Sequence, residues 1–181
     1  MTIIPTTTQL HDDWIVTSSP MDPRARPLLE ALIGEYSARY GDLAEFGQDA
    51  AREEVYGRYA SDRFLPPHGN FLLIVRNGEA IAGGGFMPHE ETDTAELKRI
   101  WTAAHLRRQG LARRIVFALE DAAIRQGYRR IFLTTGFRQP EASALYKRLG
   151  YTPLYDPKAD PAVLMTLPFA KAIGDNTAVL A

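Results

Sequence analysis

The run Arg107-Arg108-Gln109-Gly110-Leu111-Ala112 brings together what a phosphate group needs. Basic side chains supply charge, Gly110 lets backbone approach closely, and a helix beginning there offers N–H groups that have no partner inside the helix. Partial positive charge at that helix end adds to the attraction. The chemistry implied is capture of a pyrophosphate. An arginine-rich turn standing alone is more often plain solvated surface. Here a second segment follows: Gln139-Pro140-Glu141-Ala142 opens a helix that carries Tyr146 and closes with Leu149-Gly150-Tyr151.

The elements around these segments must position them. Glu96 to Thr102 is strand-like, and the helix from Gly110 presents Leu111, Ile115, Leu119 and Ala122 on one face before ending near Gln126 at Gly127. Arg130 to Thr135 is the next strand, so strand, helix and strand form a right-handed crossover with parallel strands. Upstream, Phe71 to Val75 and Ala80 to Met87 are strands joined by Asn77-Gly78, a hairpin turn. Gly83-Gly84-Gly85 has no helix after it and no Lys-Ser/Thr beside it. It therefore reads as a flexible or bulged piece of strand where something packs closely, not as a nucleotide loop.

After an acidic turn from His89 to Asp93, the following strand begins at Thr94. Nearer the start, Trp14 to Thr17 reads as a short strand. Asp22 then reads as a helix cap with Pro23 at the first helical position. Leu28, Leu29, Leu32, Ile33 and Tyr36 form that helix's apolar stripe, and Gly41 stops it. A second helix is expected from Gln48 to Tyr59, a loop from Asp62 to Asn70, a final strand from Val163 to Leu167, and a tail from Pro168 onward. No internal repeat, heptad pattern or low-complexity segment is present.

Arg107, Gly110 and Ala112 fit R/Q-x-x-G-x-G/A, and Ala142, Tyr146, Gly150 and Tyr151 fit A-x-x-x-Y-x-x-x-G-[FY], with the strand from Arg130 to Thr135 between them. In this order they resemble the GNAT superfamily of acyl-CoA-dependent N-acyltransferases. The resemblance covers Phe71 to about Leu167. Met1 to Asn70 matches only in having helices where the family places its variable substrate-side elements. The implied fold is α/β, a mixed α+β arrangement with a central twisted mixed sheet, a splayed parallel strand pair and flanking helices. One N-acetyltransferase domain would span residues 1–181: variable substrate-side helices over 1–70, an acetyl-CoA-binding core over 71–168, and a tail over 169–181. The implied activity is transfer of an acetyl group from acetyl-CoA, as co-substrate, to a primary amine of a small-molecule or protein acceptor by direct attack in a ternary complex. A non-catalytic CoA-binding or sensor domain on the same fold is the other reading, because fold alone does not dictate reaction.

The same resemblance assigns roles. A pantetheine arm would lie between the splayed strands on the backbone of Ile100, Trp101 and Thr102, whose N–H groups can also bind a thioester oxygen as charge develops on it. The diphosphate would meet Arg107, Arg108, Gln109, Gly110, Leu111, Ala112 and the backbone of Arg113, leaving Arg114 to solvent. Gln139 stands where many members have Asn; its longer amide can still hydrogen-bond to pantetheine, with Ala142 alongside. Tyr146 is the implied acid, since a leaving thiolate needs a proton and a phenol is still protonated at neutral pH. Glu96, on the strand bordering the site, is either the general base for the amine or the ion-pair partner of Lys98, two residues along on the same face. His89 reads as loop surface and His105 as connection. Acceptor contacts would come from the first two helices and the following loop, including Tyr36, Phe46, Tyr59 and Phe64, each of which is also a natural core residue.

Composition bounds the alternatives. A chain of 181 residues with 45% hydrophobic content suits one compact domain. With no cysteine there is no disulfide, thiolate nucleophile or Cys-based metal site. None of the four His has metal-ligand spacing, so no metal is expected. The longest apolar stretch, Phe71 to Val75, is far too short to cross a bilayer, and no signal-like segment opens the chain. A cytoplasmic protein without a membrane partner is expected, as a monomer or homodimer. Charge is divided: up to residue 96 the chain carries sixteen acids against seven Arg/Lys, and beyond it six against fourteen. The basic part suits a phosphorylated ligand and the acidic part a cationic amine, unless both are merely solvated surface. Leu97 to Leu119 has six Arg/Lys and no acid, but without aromatics interleaved on a sheet face it is no argument for nucleic acid.

Overall fold

The computed structural model describes residues 13–44, 46 and 49–174. Its strands are β1 (Asp13–Thr17), β2 (Asn70–Arg76), β3 (Glu79–Pro88), β4 (Thr94–Thr102), β5 (Arg130–Gly136), β6 (Thr152–Pro153) and β7 (Thr166–Ala172). They form one sheet in the order β1-β2-β3-β4-β5-β7-β6. Every neighbouring pair is antiparallel except β4 and β5, which are parallel. The α-helices are α1 (Arg26–Tyr40), α2 (Ala50–Arg52), α3 (Leu111–Arg125), α4 (Pro140–Arg148) and α5 (Pro161–Leu164), and α2 runs on into a π-helical turn over Glu53–Gly57.

Strand alternation divides the apolar residues between two cores. Leu72 and Ile74 of β2 join Leu111, Ile115 and Leu119 of α3 on one face, while Phe71, Leu73 and Val75 meet Leu28, Leu29 and Leu32 of α1 on the other. The β2–β3 hairpin turns at Asn77 and Gly78, with φ of 51° and 84°, as a two-residue turn matched to strand twist requires. Between α3 and β7, buried Glu120 accepts from the Tyr151 hydroxyl at 2.8 Å and pairs with Lys171 Nζ at 2.8 Å.

Two irregularities shape the middle of the sheet. The parallel pairing covers only Thr94 with Arg130, Ala95 with Ile131 and Glu96 with Phe132. Beyond it β4 and β5 diverge, and β5 stays paired to β7 as far as Gly136. The second is a bulge. Gly83 faces Trp101 and Gly85 faces Lys98, so Arg99 and Ile100 share the single partner Gly84. The extra residue thus lies in β4, not in the glycine run where the sequence suggested it, and Arg99 takes a left-handed φ of 58°. The glycines serve the close packing foreseen for them: a Cβ on Gly84 would run into Ile100.

Several expectations need correction. Asp22 does not cap α1. Its carboxylate accepts from the Ser18 hydroxyl at 2.7 Å and the Arg24 N–H at 2.8 Å, closing a turn before the helix, while Ala25 is the capping residue and Pro27 occupies the first turn. Of the second helix, Gln48 lies outside the described residues, and the helical segment from Ala50 ends at Gly57. Part of the expected loop is the 3₁₀ turn Ser61–Phe64. The last strand lies later than expected: Asp160 caps α5 by accepting from the Ala162 N–H at 2.9 Å. Pro168 does not end the strand, because its carbonyl still accepts from the Leu154 N–H at 2.9 Å. Phe169 is fully buried, so the tail expected from residue 169 is β7 as far as Ala172. Arg114, assigned to solvent, pairs with Asp13.

Candidate active site

Where β4 and β5 part, a cleft of about 860 Å³ opens between them. Ile100, Trp101 and Thr102 of β4 line one side, with the edge that faced β5 no longer paired to it. Trp101 Nε1 and Thr102 Oγ1 are buried there without a hydrogen-bond partner among the described residues. Arg107, Arg108, Gly110, Leu111, Ala112 and Arg113 line the far end. Gly110 stands at the head of α3 with φ of 77° and no side chain caps the helix, leaving its first N–H groups without intrahelical partners. A Cβ on Gly110 would meet nothing within 4 Å, so the space above the helix end is open. These features fit a diphosphate-bearing, extended ligand.

The arginines divide their attention. Arg107 bonds to Glu35 Oε2 of α1 at 2.6 Å and lies over the Trp101 ring, 4.8 Å from its centroid. Glu35 also pairs with Arg39 at 2.7 Å, and Arg39 with Glu141 of α4. Arg108 is exposed with φ of 64°, and Arg113 stacks over Phe117 at 5.1 Å. Gln109 is not among the lining residues; its Oε1 accepts from Arg76 Nη1 at 3.4 Å.

Across the fork of the two strands lies a second, compact cavity of about 90 Å³. Tyr36, Glu54, Tyr59, Lys98 and Arg99 belong to it, and Leu32, Ile100, Gln139, Ala142 and Tyr146 line both it and the cleft. Tyr146 therefore stands at the boundary between them. It is 7% exposed, its ring set against Tyr151 and Phe169, and burial pushes its phenol above the ordinary value. Gln139 Oε1 accepts from the Gly136 N–H at 3.0 Å and the Thr135 hydroxyl at 3.2 Å, which leaves its amide nitrogen as the group free to donate.

Glu96 is nearly buried, with Lys98 Nζ 2.9 Å from its Oε1, and lines none of these cavities. His89 packs on Phe132 and its Nδ1 accepts from the Glu91 N–H; His105 is exposed. Among the described residues no cluster of His, Asp and Glu is arranged to hold a metal ion. Tyr36 and Tyr59 line the compact cavity, Phe46 an adjoining one, and Phe64 is core.

Two residues of the compact cavity, Glu54 and Arg99, escape a pattern reading. Glu54 lies in the π-helical turn, where helical periodicity misplaces side chains. Arg99 sits at the bulge. Its signal was there: Ala95, Leu97 and Ile100 pack into one core, and the step from a spacing of two to one of three marks an inserted residue.

The family model described as Acetyltransferase (GNAT) family matches residues 29–151. The Escherichia coli (strain K12) protein named uncharacterized N-acetyltransferase YjgM is 31% identical over 130 residues, covering 69% of this chain and 75% of that one. Among solved structures, the PaiA N-acetyltransferase of Thermoplasma acidophilum in complex with coenzyme A aligns over 88% of this chain and 98% of its own, with 13% identity and a TM-score of 0.66. An acetyltransferase of the GNAT family from Staphylococcus aureus Mu50 aligns over 90% and 99%, with 14% identity and a TM-score of 0.62. At such identities these two structures show likeness of fold.

Proposed function

Because this chain belongs to the GNAT acetyltransferase family, we propose that it transfers an acetyl group from acetyl-CoA to a primary amine by direct attack in a ternary complex. The observation that carries this reading is the meeting of two cavities at Tyr146, one long and basic at its far end, the other compact. Acetyl-CoA would supply the activated acyl group, held by the N–H groups at the head of α3 and the unpaired edge of β4 at Ile100, Trp101 and Thr102. The Gln139 amide nitrogen and the surface of Ala142 border the same path. Backbone N–H of β4 is the group available to an oxygen on which charge develops.

In this reading Tyr146 gives its phenolic proton to the departing sulfur; a phenol already holds that proton at neutral pH and burial raises its pKa further, so the transfer runs only as negative charge builds on the sulfur. The amine's own proton needs a carboxylate that faces the acceptor. Both candidate carboxylates hold an ion pair, Glu96 with Lys98 at 2.9 Å and Glu54 with Arg58 at 2.7 Å; of the two only Glu54 lines the compact cavity, which makes it the better-placed base. Mass spectrometry of a panel of amines incubated with protein and acetyl-CoA, with release of free CoA thiol measured in parallel, tests the proposal. Acetylated product and stoichiometric thiol are expected. Binding of acetyl-CoA without product from any amine would instead mark a non-catalytic CoA-binding domain.

A further inference from the structure

Arg99 has no part in the reaction just described, yet its setting is costly. It is 7% exposed, and its Nε and Nη1 are buried without a hydrogen-bond partner among the described residues. Nη2 reaches only the Tyr59 carbonyl, at 3.5 Å, and the guanidinium rests 4.4 Å from the centroid of Phe64. The nearby carboxylates are engaged elsewhere: Glu54 with Arg58 at 2.7 Å and Glu96 with Lys98 at 2.9 Å. A guanidinium keeps its charge, and a buried charge without a partner opposes folding. The left-handed backbone of Arg99 adds strain that a non-glycine residue rarely carries. Two such costs at one residue, in the wall of a cavity that Tyr146 also lines, point to a ligand that repays them.

We propose that the acceptor is a small amino-acid-like molecule, a primary amine bearing a carboxylate, which docks its carboxylate on Arg99 and turns its amine toward Tyr146. This rests on the acetyl-transfer reading above. A carboxylate matches the planar donors of a guanidinium in charge and shape. The local charges agree: of the two cations that line this cavity, Lys98 is balanced by Glu96, and Arg99 forms no ion pair among the described residues. The cavity, at about 90 Å³, is compact enough for one small molecule to touch both Arg99 and Tyr146. An adjoining cavity of about 220 Å³ shares Tyr36 and Glu54 with it and is walled by Tyr40, Phe46 and Phe137. It suits a large apolar or aromatic side chain on the acceptor.

The test compares L-amino acids with the matching L-amino-acid amides, which keep the amine and lose the carboxylate charge. The amide's amine is the less basic and so the more often deprotonated at neutral pH, so preference for the acid reports docking. Wild-type protein should favour acids by about 100-fold or more in kcat/KM. Arg99→Met should lower the rate on acids by about as much and leave amides nearly unchanged, while Arg99→Lys restores part of the preference. A thermal shift with acetyl-CoA checks that each variant is folded and binds the co-substrate; if Arg99→Met is not, the wild-type comparison decides alone. Equal use of acids and amides, or an Arg99→Met protein with its preference intact, overturns carboxylate docking and leaves acetyl transfer standing. Preference for an aminoalkylphosphonate over the matching carboxylate overturns it too. No transfer to any amine overturns the acetyltransferase reading, and this assignment with it.

Discussion

Tyr146 is a phenol whose ionisation the fold opposes, because burial penalises the phenolate. Any phenol keeps its proton at neutral pH, so it is the position of Tyr146 at the boundary of two cavities, and not its raised pKa, that suits it to protonate a thiolate. Tyr146→Phe should therefore lower kcat by roughly 10²-fold or more while leaving acetyl-CoA affinity near normal, since only the transition state needs the proton. Pre-steady-state kinetics with calorimetric binding would check both. Glu54 and Glu96 separate by pH. If Glu54 takes the amine's proton, Glu54→Gln should lower kcat/KM at neutral pH and recover part of the loss as pH rises and more amine arrives deprotonated. Glu96→Gln should lower the melting temperature and leave the profile's shape intact. Profiles that change in the reverse pattern would make Glu96 the base. At this scale the sequence was legible in where fixed spacings place residues, with Gly110 at the head of α3 and Tyr146 in the wall of the cleft. It was opaque at Glu54, where a π-helical turn shifts the periodicity on which pattern reading depends, and at Arg99 the change of apolar spacing marked the bulge without showing which side chain would line a cavity.

Among the elements, the head of α3 is the most exposed to a single change. Gly110→Glu should abolish acetyl-CoA binding, because the side chain enters the open space above the helix end and its charge repels phosphate. Gly110→Ala serves as control, since it adds the strain of a left-handed φ without the bulk or the charge. Calorimetry on both should show loss in the first and retention in the second. The junction of α3 with β7 gives another test. Glu120→Ala leaves Tyr151 and Lys171 without their buried partner, and urea unfolding should show a loss of about 3 kcal/mol, the lower end for broken buried pairs because Lys171 is partly exposed. The hairpin, the crossover and α3 were readable because their turn residues and apolar spacing agree. The start of α1 and the last strand were not: Asp22 satisfies a nearer N–H, and Pro168 sits in a strand whose neighbour needs only its carbonyl.

For the molecule as a whole, Asp13 is a clasp that joins β1 to Arg76 at the end of β2 and to Arg114 of α3. Hydrogen bonding from Arg76, with Arg114 adding to it, pulls its carboxyl down from 3.8 to about 2. A carboxylate lowered in the folded state stabilises above its ordinary pKa and loses that contribution as pH falls through the folded value. Melting temperature should thus drop between about pH 4 and pH 2, and Asp13→Asn should begin lower at neutral pH and show less of that drop, as calorimetric scans across pH would record. Acetyl-CoA, bound as proposed to the folded chain alone, should raise the melting temperature at neutral pH. The three-residue pairing of β4 with β5 has a further consequence. A strand edge is ordinarily a problem of the periphery, where it invites aggregation; this protein keeps one in its interior. Amides of residues 97–102 that point away from β3 should therefore exchange with deuterium faster than those pointing toward it, a two-residue rhythm broken at the bulge. Acetyl-CoA should erase that rhythm, giving residue-by-residue evidence of a ligand that hydrogen-bonds as a neighbouring strand would.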